Sequence, residues 1–293
     1  MKVLVVGGGG FIGRHIVQVL CRRGHDVTIT RRTAKAVGSA PCPACEIIID
    51  YREADTPPFW VDKLQGMDCV INAAGILRET PANRFEYTHH HGPCALFKAC
   101  RLTGVGRVIQ ISALGTDHRA GSPYHKTKRA ADDCLRELSL DWIVLQPSVV
   151  YGPDSGSGRM FNRIAALPFA AVPGQGDQMM QPVYIEDITE AVANLVENPA
   201  IRHETIAAVG PTALSYASLL KTLRASMGRK PARLIGIPMP LMRLMSKLTA
   251  LNPGSPLTPE TLAMLERGSV ADVKRFAEIL GHSPRRPEDF QSR

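Results

Sequence analysis

A chain of 293 residues that is 44% hydrophobic and 21% charged can bury a large core, which excludes an intrinsically disordered protein or a small disulfide scaffold. Its net charge of +8 favours acidic ligands such as phosphates. The basic residues are scattered rather than gathered in one block, so they read as solvated surface and argue against a nucleic-acid partner.

Met1-Lys2 leads straight into the apolar run Val3 to Val6, which glycines soon stop. No apolar stretch reaches the ~18 residues of a membrane span, and neither a signal peptide nor an anchor is expected. Seven cysteines is an odd number and points to reduced thiols in a cytoplasmic setting. Cys42-Pro43-Ala44-Cys45 is a CxxC, but Cys21, Cys69, Cys94, Cys100 and Cys134 supply no second pair at zinc spacing. It reads as a surface loop after the second strand.

Val3 to Val6 reads as a buried strand, Gly7 to Gly10 as a turn, and Phe11 to Arg23 as a helix with apolar residues at Ile12, Ile16, Val17, Val19 and Leu20. This is the build of a dinucleotide site: glycine permits the turn and the close approach of a pyrophosphate, and the helix offers unpaired N–H groups to phosphate. Gly7, Gly10 and Gly13 give GxxGxxG; Gly8, Gly10 and Gly13 give GxGxxG, and the motif alone does not choose between them. The second strand, Asp26 to Arg32, ends in Thr30-Arg31-Arg32 where an NAD site usually places an acidic residue. Arginine there suits a 2′-phosphate, so Arg31 and Arg32 favour NADP(H), with NAD as the alternative cofactor.

Further strands are expected at Glu46 to Asp50, Asp68 to Gly75, Arg107 to Ser112 and Trp142 to Gln146, with helices over 57–66, 83–103 and 122–138, the last opened by the cap Ser122-Pro123. Strands alternating with helices predict an α/β, Rossmann-type, doubly wound parallel sheet. Residues 1–150 form its core, with 183–210 returning to it. Residues 151–182 and 211–293 form a smaller, mostly helical substrate region, with helices near 160–167, 215–227, 240–251, 259–267 and 270–280. There is no internal repeat.

Tyr124 and Lys128 stand four residues apart, hence on one face of their helix. A nearby ammonium favours phenolate, which makes a tyrosine usable as an acid and base near neutral pH. Ser112, at the end of the preceding strand, can hydrogen-bond a substrate carbonyl or hydroxyl. The set Ser112, Tyr124 and Lys128 is the expected catalytic group.

Taken with Asn72-Ala73-Ala74-Gly75, Ile111-Ser112-Ala113, Gln146 to Pro153 and Gln181 to Ile188, these residues resemble the short-chain dehydrogenase/reductase superfamily in its extended and atypical branches. In the tail, Gly210-Pro211, Tyr216, Leu219-Leu220, Ile237 to Pro240 and Leu257 to Glu260 are similar to bacterial relatives of the 39 kDa accessory subunit of respiratory complex I. The resemblance implies that backbone at Phe11 and Ile12 meets the pyrophosphate and Arg31 the 2′-phosphate. It implies that Asp50 and Tyr51 border the adenine, that Ala73, Ala74 and Gly75 line the passage to the nicotinamide, and that Pro147, Ser148 and Val150 lie close to the carboxamide. Tyr124 would be the acid/base, Lys128 would lower its pKa and hold the ribose, and Ser112 would orient substrate.

Relatives often carry an asparagine where this chain has His89, within Thr88-His89-His90-His91-Gly92. That departure removes the usual proton relay, although histidine can itself relay protons. Adjacent helical residues point in different directions, so the three histidines are not expected to share an ion, and no metal is expected.

Three functions fit: an NADP(H)-dependent oxidoreductase acting on a small carbonyl or alcohol, an NAD-dependent nucleotide-sugar epimerase or dehydratase, and a cofactor-holding assembly subunit. The last suits a protein peripheral to the inner membrane or touching a respiratory complex. Leu241, Leu244, Met245 and Leu248 make an apolar stripe that could meet a membrane, a quinone-related substrate or a partner; the expectation is that it is core. Oligomeric state is not legible.

Overall fold

The computed structural model describes residues 1–32, 45–81, 83–250, 252, 255 and 257–290. Two compact units emerge, one of residues 1–146 and 188–206, the other of 147–187 and 207–293.

The first unit begins with β1 (Lys2–Val6), whose Val3, Leu4, Val5 and Val6 are wholly buried. Such a run suits a central parallel strand covered on both faces. After the glycine turn comes α1 (Phe11–Arg22), then β2 (Asp26–Arg31), β3 (Cys45–Ile48), α2 (Pro57–Val61) and β4 (Cys69–Asn72). A π-helical segment (Glu86–His91) runs into α3 (Gly92–Thr103), followed by β5 (Arg107–Ile111), α4 (Pro123–Arg136) and β6 (Asp141–Pro147). Ser122 caps α4 by accepting from the His125 N–H at 3.2 Å.

The chain continues through β7 (Val150–Tyr151), α5 (Gly156–Ala166), β8 (Phe169–Pro173), β9 (Met179–Met180), β10 (Val183–Tyr184), α6 (Ile185–Glu197) and β11 (Glu204–Ala208). It ends with β12 (Leu214–Ser215), α7 (Tyr216–Ser226), β13 (Arg233–Ile237), α8 (Met239–Thr249), α9 (Pro259–Arg267) and α10 (Lys274–Leu280).

The large sheet has seven strands in the order β11-β6-β5-β4-β1-β2-β3. The pairings β1 with β2 and β4, β2 with β3, β4 with β5, and β5 with β6 are all parallel. Strand order reverses between β1 and β4, and ligands of open α/β sheets bind at the carboxyl ends beside such a switch point. Beneath it, Leu4, Val70, Val108 and Val144 pack with Leu96, Phe97 and the fully buried Trp60. The Trp60 indole N–H donates to Ala54 O at 3.0 Å, so this core leaves that donor satisfied.

In the second unit β10 pairs parallel with β7, β12 antiparallel with β9, and β13 parallel with β8 over Arg233 to Ile237. The buried Arg224 of α7 ties α5 down by donating to Ala165 O and Leu167 O, each at 2.8 Å.

Several expectations are corrected. The helix expected over 83–103 is not α-helical throughout: its first part takes the wider π winding, which brings His90 and His91 together around Glu86. The stripe Leu241, Leu244, Met245 and Leu248 is not core, being 39–62% exposed, because α8 turns Met242 and Ser246 inward instead. Cys45 opens β3 rather than lying in a loop, while Cys42 to Ala44 lie outside the described residues. Cys21 is disulfide-bonded, so the thiols are not all reduced; Cys45, Cys69, Cys94, Cys100 and Cys134 are free. Among the described residues no helix is long and apolar enough to cross a membrane.

The turn after β1 depends on two glycines. Gly7 has φ of +78° and its missing Cβ would stand 2.8 Å from Ala74 Cα; a Cβ on Gly13 would stand 2.3 Å from Gly7 O. Gly13→Ala is therefore expected to destabilise the protein by about 1–3 kcal/mol, read by thermal melting. An unchanged melting curve would contradict this packing.

Candidate active site

The glycine turn is built as an anion cradle. The first helical bond of α1 runs from the Arg14 N–H to Gly10 O at 3.0 Å, so the N–H groups of Phe11, Ile12 and Gly13 have no partner within the helix. Gly10 offers no side-chain cap and the first turn has no acidic residue, leaving this end suited to phosphate. The turn is pinned to the sheet by the Gly7 N–H donating to Thr30 Oγ1 at 3.0 Å and the Ala73 N–H donating to Val6 O at 2.9 Å.

Arg31 lies along this turn, where a Cβ on Gly9 would come within 3.2 Å of its Cγ. One guanidinium nitrogen pairs with Glu46 at 3.2 Å, while among the described residues its buried Nε has no hydrogen-bond partner. An unpartnered charged donor beside the cradle fits a phosphate oxygen. Arg32 points elsewhere, donating to Asn83 Oδ1 at 2.7 Å. The Asp50 carboxylate is held well below the usual carboxylate range by the Arg52 guanidinium and N–H. The neighbouring Tyr51 phenol is pushed up by burial.

At the ends of β4 and β5 a second group of side chains meets α4. The buried Lys128 ammonium donates to Ile111 O at 2.8 Å and to Ala74 O at 3.4 Å. A Cβ on Gly75 would meet Lys128 Nζ at 3.4 Å and His89 Nε2 at 3.7 Å, ordinary contact distances. Burial lowers the Lys128 pKa to about 8, with the Asp132 charge opposing the fall.

Tyr124 is buried beside His89, ring centroids 5.2 Å apart and edge to face, with Phe85 at 6.0 Å. Its phenol is pushed up to about 12 by burial, with the Asp132 charge adding to the shift. Against the expectation, burial outweighs any lowering by Lys128, whose ammonium donates to Ile111 O and Ala74 O. The Tyr124 phenol is therefore protonated at neutral pH.

Ser112 Oγ donates to Asp132 Oδ2 at 2.6 Å, a length typical of a charge-assisted O–H···O⁻ bond. Thr116 Oγ1 lies 3.0 Å from the same oxygen. Burial raises the Asp132 pKa, while hydrogen bonds from Ser112 and Thr116 and the Lys128 charge oppose the rise. With its proton committed, Ser112 can accept from a substrate hydroxyl.

His89 is neutral, burial and the Lys128 charge taking it down to about 2. Its Nε2 accepts from the Ile76 N–H at 3.0 Å, which places the ring proton on Nδ1, 3.3 Å from Thr127 Oγ1. Both nitrogens are engaged by the fold, so His89 holds the Ile76 loop and is poorly placed to relay protons.

Asp132 and Thr116 were not legible as site residues from motif reasoning. The signal for Asp132 was present: Tyr124, Lys128 and Asp132 repeat at intervals of four on one face of α4. Pro147, Ser148 and Val150 fall in the second unit, where the Ser148 N–H donates to Ala208 O at 3.0 Å and its hydroxyl to Gln181 O.

A family model described as the NAD dependent epimerase/dehydratase family matches residues 3–210. The chain is 28% identical over 284 residues to NADH dehydrogenase [ubiquinone] 1 alpha subcomplex subunit 9, mitochondrial, of Rattus norvegicus, covering 92% of this chain and 72% of that one. It is 24% identical over 239 residues to a ceramide reductase of Caulobacter vibrioides, covering 81% and 74%. A nucleoside-diphosphate-sugar epimerase from Staphylococcus aureus superposes with a TM-score of 0.80 at 17% identity over 100% of each chain, a likeness of fold.

Asp132→Asn keeps the shape of the side chain and removes the charge that raises both Tyr124 and Lys128. Both pKa values should fall, so the alkaline limb of a pH–rate profile should move to lower pH. A limb that stays in place would contradict the coupling.

Proposed function

The chain belongs to the NAD dependent epimerase/dehydratase family, and from that premise we propose that it is an NADP(H)-dependent oxidoreductase of the short-chain dehydrogenase/reductase type. Its substrate is a carbonyl compound or the corresponding alcohol. The observation that carries this reading is the cluster of Tyr124, Lys128 and Ser112 at the ends of β4 and β5, beside a glycine cradle with Arg31 over it.

The residues fit the cofactor. Backbone N–H groups at Phe11, Ile12 and Gly13 would meet the pyrophosphate, Arg31 Nε the 2′-phosphate, and Lys128 the nicotinamide ribose. When bound, the nicotinamide nucleotide supplies or accepts the hydride, an electron pair with its proton.

This chain's own contribution is proton handling. In reduction, the Tyr124 hydroxyl gives its proton to the carbonyl oxygen as the carbonyl carbon gains the hydride. A C–H and an O–H bond form, the C=O π bond breaks, and the phenolate is reprotonated from solvent. A phenol raised to about 12 is always in the acid form near neutrality, which suits this direction. Oxidation of the alcohol runs the other way and requires phenolate, so its rate rises with pH. In oxidation the alcohol's one O–H proton passes to the phenolate; in reduction Ser112, its own proton held by Asp132, accepts from the product hydroxyl once Tyr124 has delivered its proton.

The ceramide reductase and a 2-alkyl-3-oxoalkanoate reductase of Stenotrophomonas maltophilia, 25% identical over 215 residues, support reductive carbonyl chemistry. A second reading, a cofactor-holding accessory subunit, is favoured by one observation: Leu241, Leu244 and Leu248 of α8 stand exposed, a surface that a partner or membrane could cover.

Tyr124→Phe should leave NADPH affinity nearly unchanged while lowering turnover by about 100-fold or more. Unchanged turnover would exclude Tyr124 as the acid. Arg31→Ala should weaken NADPH by about tenfold or more relative to NADH, whereas equal losses for both would remove the 2′-phosphate assignment.

A further inference from the structure

Among the described residues, one group outside the catalytic cluster brings three metal-ligating side chains together: Glu86, His90 and His91, whose ligand atoms all lie within 4.8 Å of one another. Glu86 Oε2 is 3.2 Å from His90 Nδ1 and 3.5 Å from His91 Nε2. Two ligand atoms at ~2.0–2.1 Å from a tetrahedral zinc ion stand ~3.3–3.4 Å apart, so two edges of the coordination shell already have the required length. The third edge closes by rotation of two rings that are 36% and 51% exposed at the side chain. They meet edge to face, with centroids 4.8 Å apart, rather than stacked, so their lone pairs can be aimed at one point.

The backbone explains the convergence. In an α-helix each residue advances about 100°, which would turn His91 roughly 140° away from Glu86. The π winding of Glu86–His91 widens the turn toward an i to i+5 repeat, so residues four and five positions on flank the first. His89, on the same turn, is buried on the catalytic side; Glu86, His90 and His91 look outward.

We infer that Glu86, His90 and His91 form a surface site for a divalent transition-metal ion of the zinc class, with solvent completing the coordination. Two imidazoles and one carboxylate are a zinc donor set, whereas magnesium and calcium prefer oxygen alone. An ion held here clips together both ends of the π turn. It thereby fixes the register that sets His89 against the Ile76 N–H.

The test is titration of chelator-treated protein with Zn2+ by calorimetry and with Co2+ by visible absorption. The wild-type protein should bind one equivalent of each at this site, give the strong visible bands of four-coordinate Co2+, and melt at a higher temperature with Zn2+ present. His90→Asn and His91→Asn should each weaken Zn2+ by about 100-fold or more and abolish those bands. His118→Asn, an exposed histidine elsewhere, should bind as wild type does. Circular dichroism and the melting curve without metal check that each variant is folded. Absence of wild-type binding at millimolar metal, or equal binding by all three variants, would overturn the site.

Discussion

The structure of the active region depends on the buried ammonium of Lys128. Taking a lysine out of water is costly, and the cost is met by carbonyls at Ile111 and Ala74 together with the Asp132 charge one turn further along α4. Because those carbonyls stand at the end of β5 and just past the end of β4, the lysine fastens α4 to the switch point of the sheet. Tyr124, one turn back on the same helix, is placed by the same fastening.

Electrostatics in this cluster follow from burial more than from pairing. Tyr124 rises and Lys128 falls for the same reason, the scarcity of solvent around both. Asp132 then acts on both in the same direction while holding the Ser112 hydroxyl proton. The outcome is a protonated phenol beside a serine that accepts, a pairing suited to exchanging a carbonyl for an alcohol. The nucleotide cradle is set by sterics instead: Gly7 against Ala74 and Gly13 against the Gly7 carbonyl.

What could be read in the sequence was what local physics determines. The apolar run before the glycines, the Ser122-Pro123 cap and the four-residue spacing of Tyr124 and Lys128 each specify their own element, and the alternation of strands and helices specifies the sheet. What could not be read depends on partners distant in the chain. Whether the α8 stripe is core or surface depends on which face its unit leaves uncovered. The pairing of β13 with β8 joins segments some sixty residues apart. The π winding at Glu86–His91 escaped because an apolar period of 3.6 is the default assumption for any helix; it alone accounts for His90 and His91 sharing a face. The direction of the Tyr124 shift depends on how deeply the phenol is buried, which no spacing supplies.

The central claim is that this chain binds a phosphorylated nicotinamide nucleotide on the cradle between β1 and α1. Its most direct test is calorimetric titration of the purified protein with NADPH and with NADH, after denaturation and absorbance have shown whether nucleotide co-purifies. The expected result is saturable one-to-one binding of NADPH, tighter than that of NADH. Failure of both nucleotides to bind a preparation free of nucleotide would contradict the account.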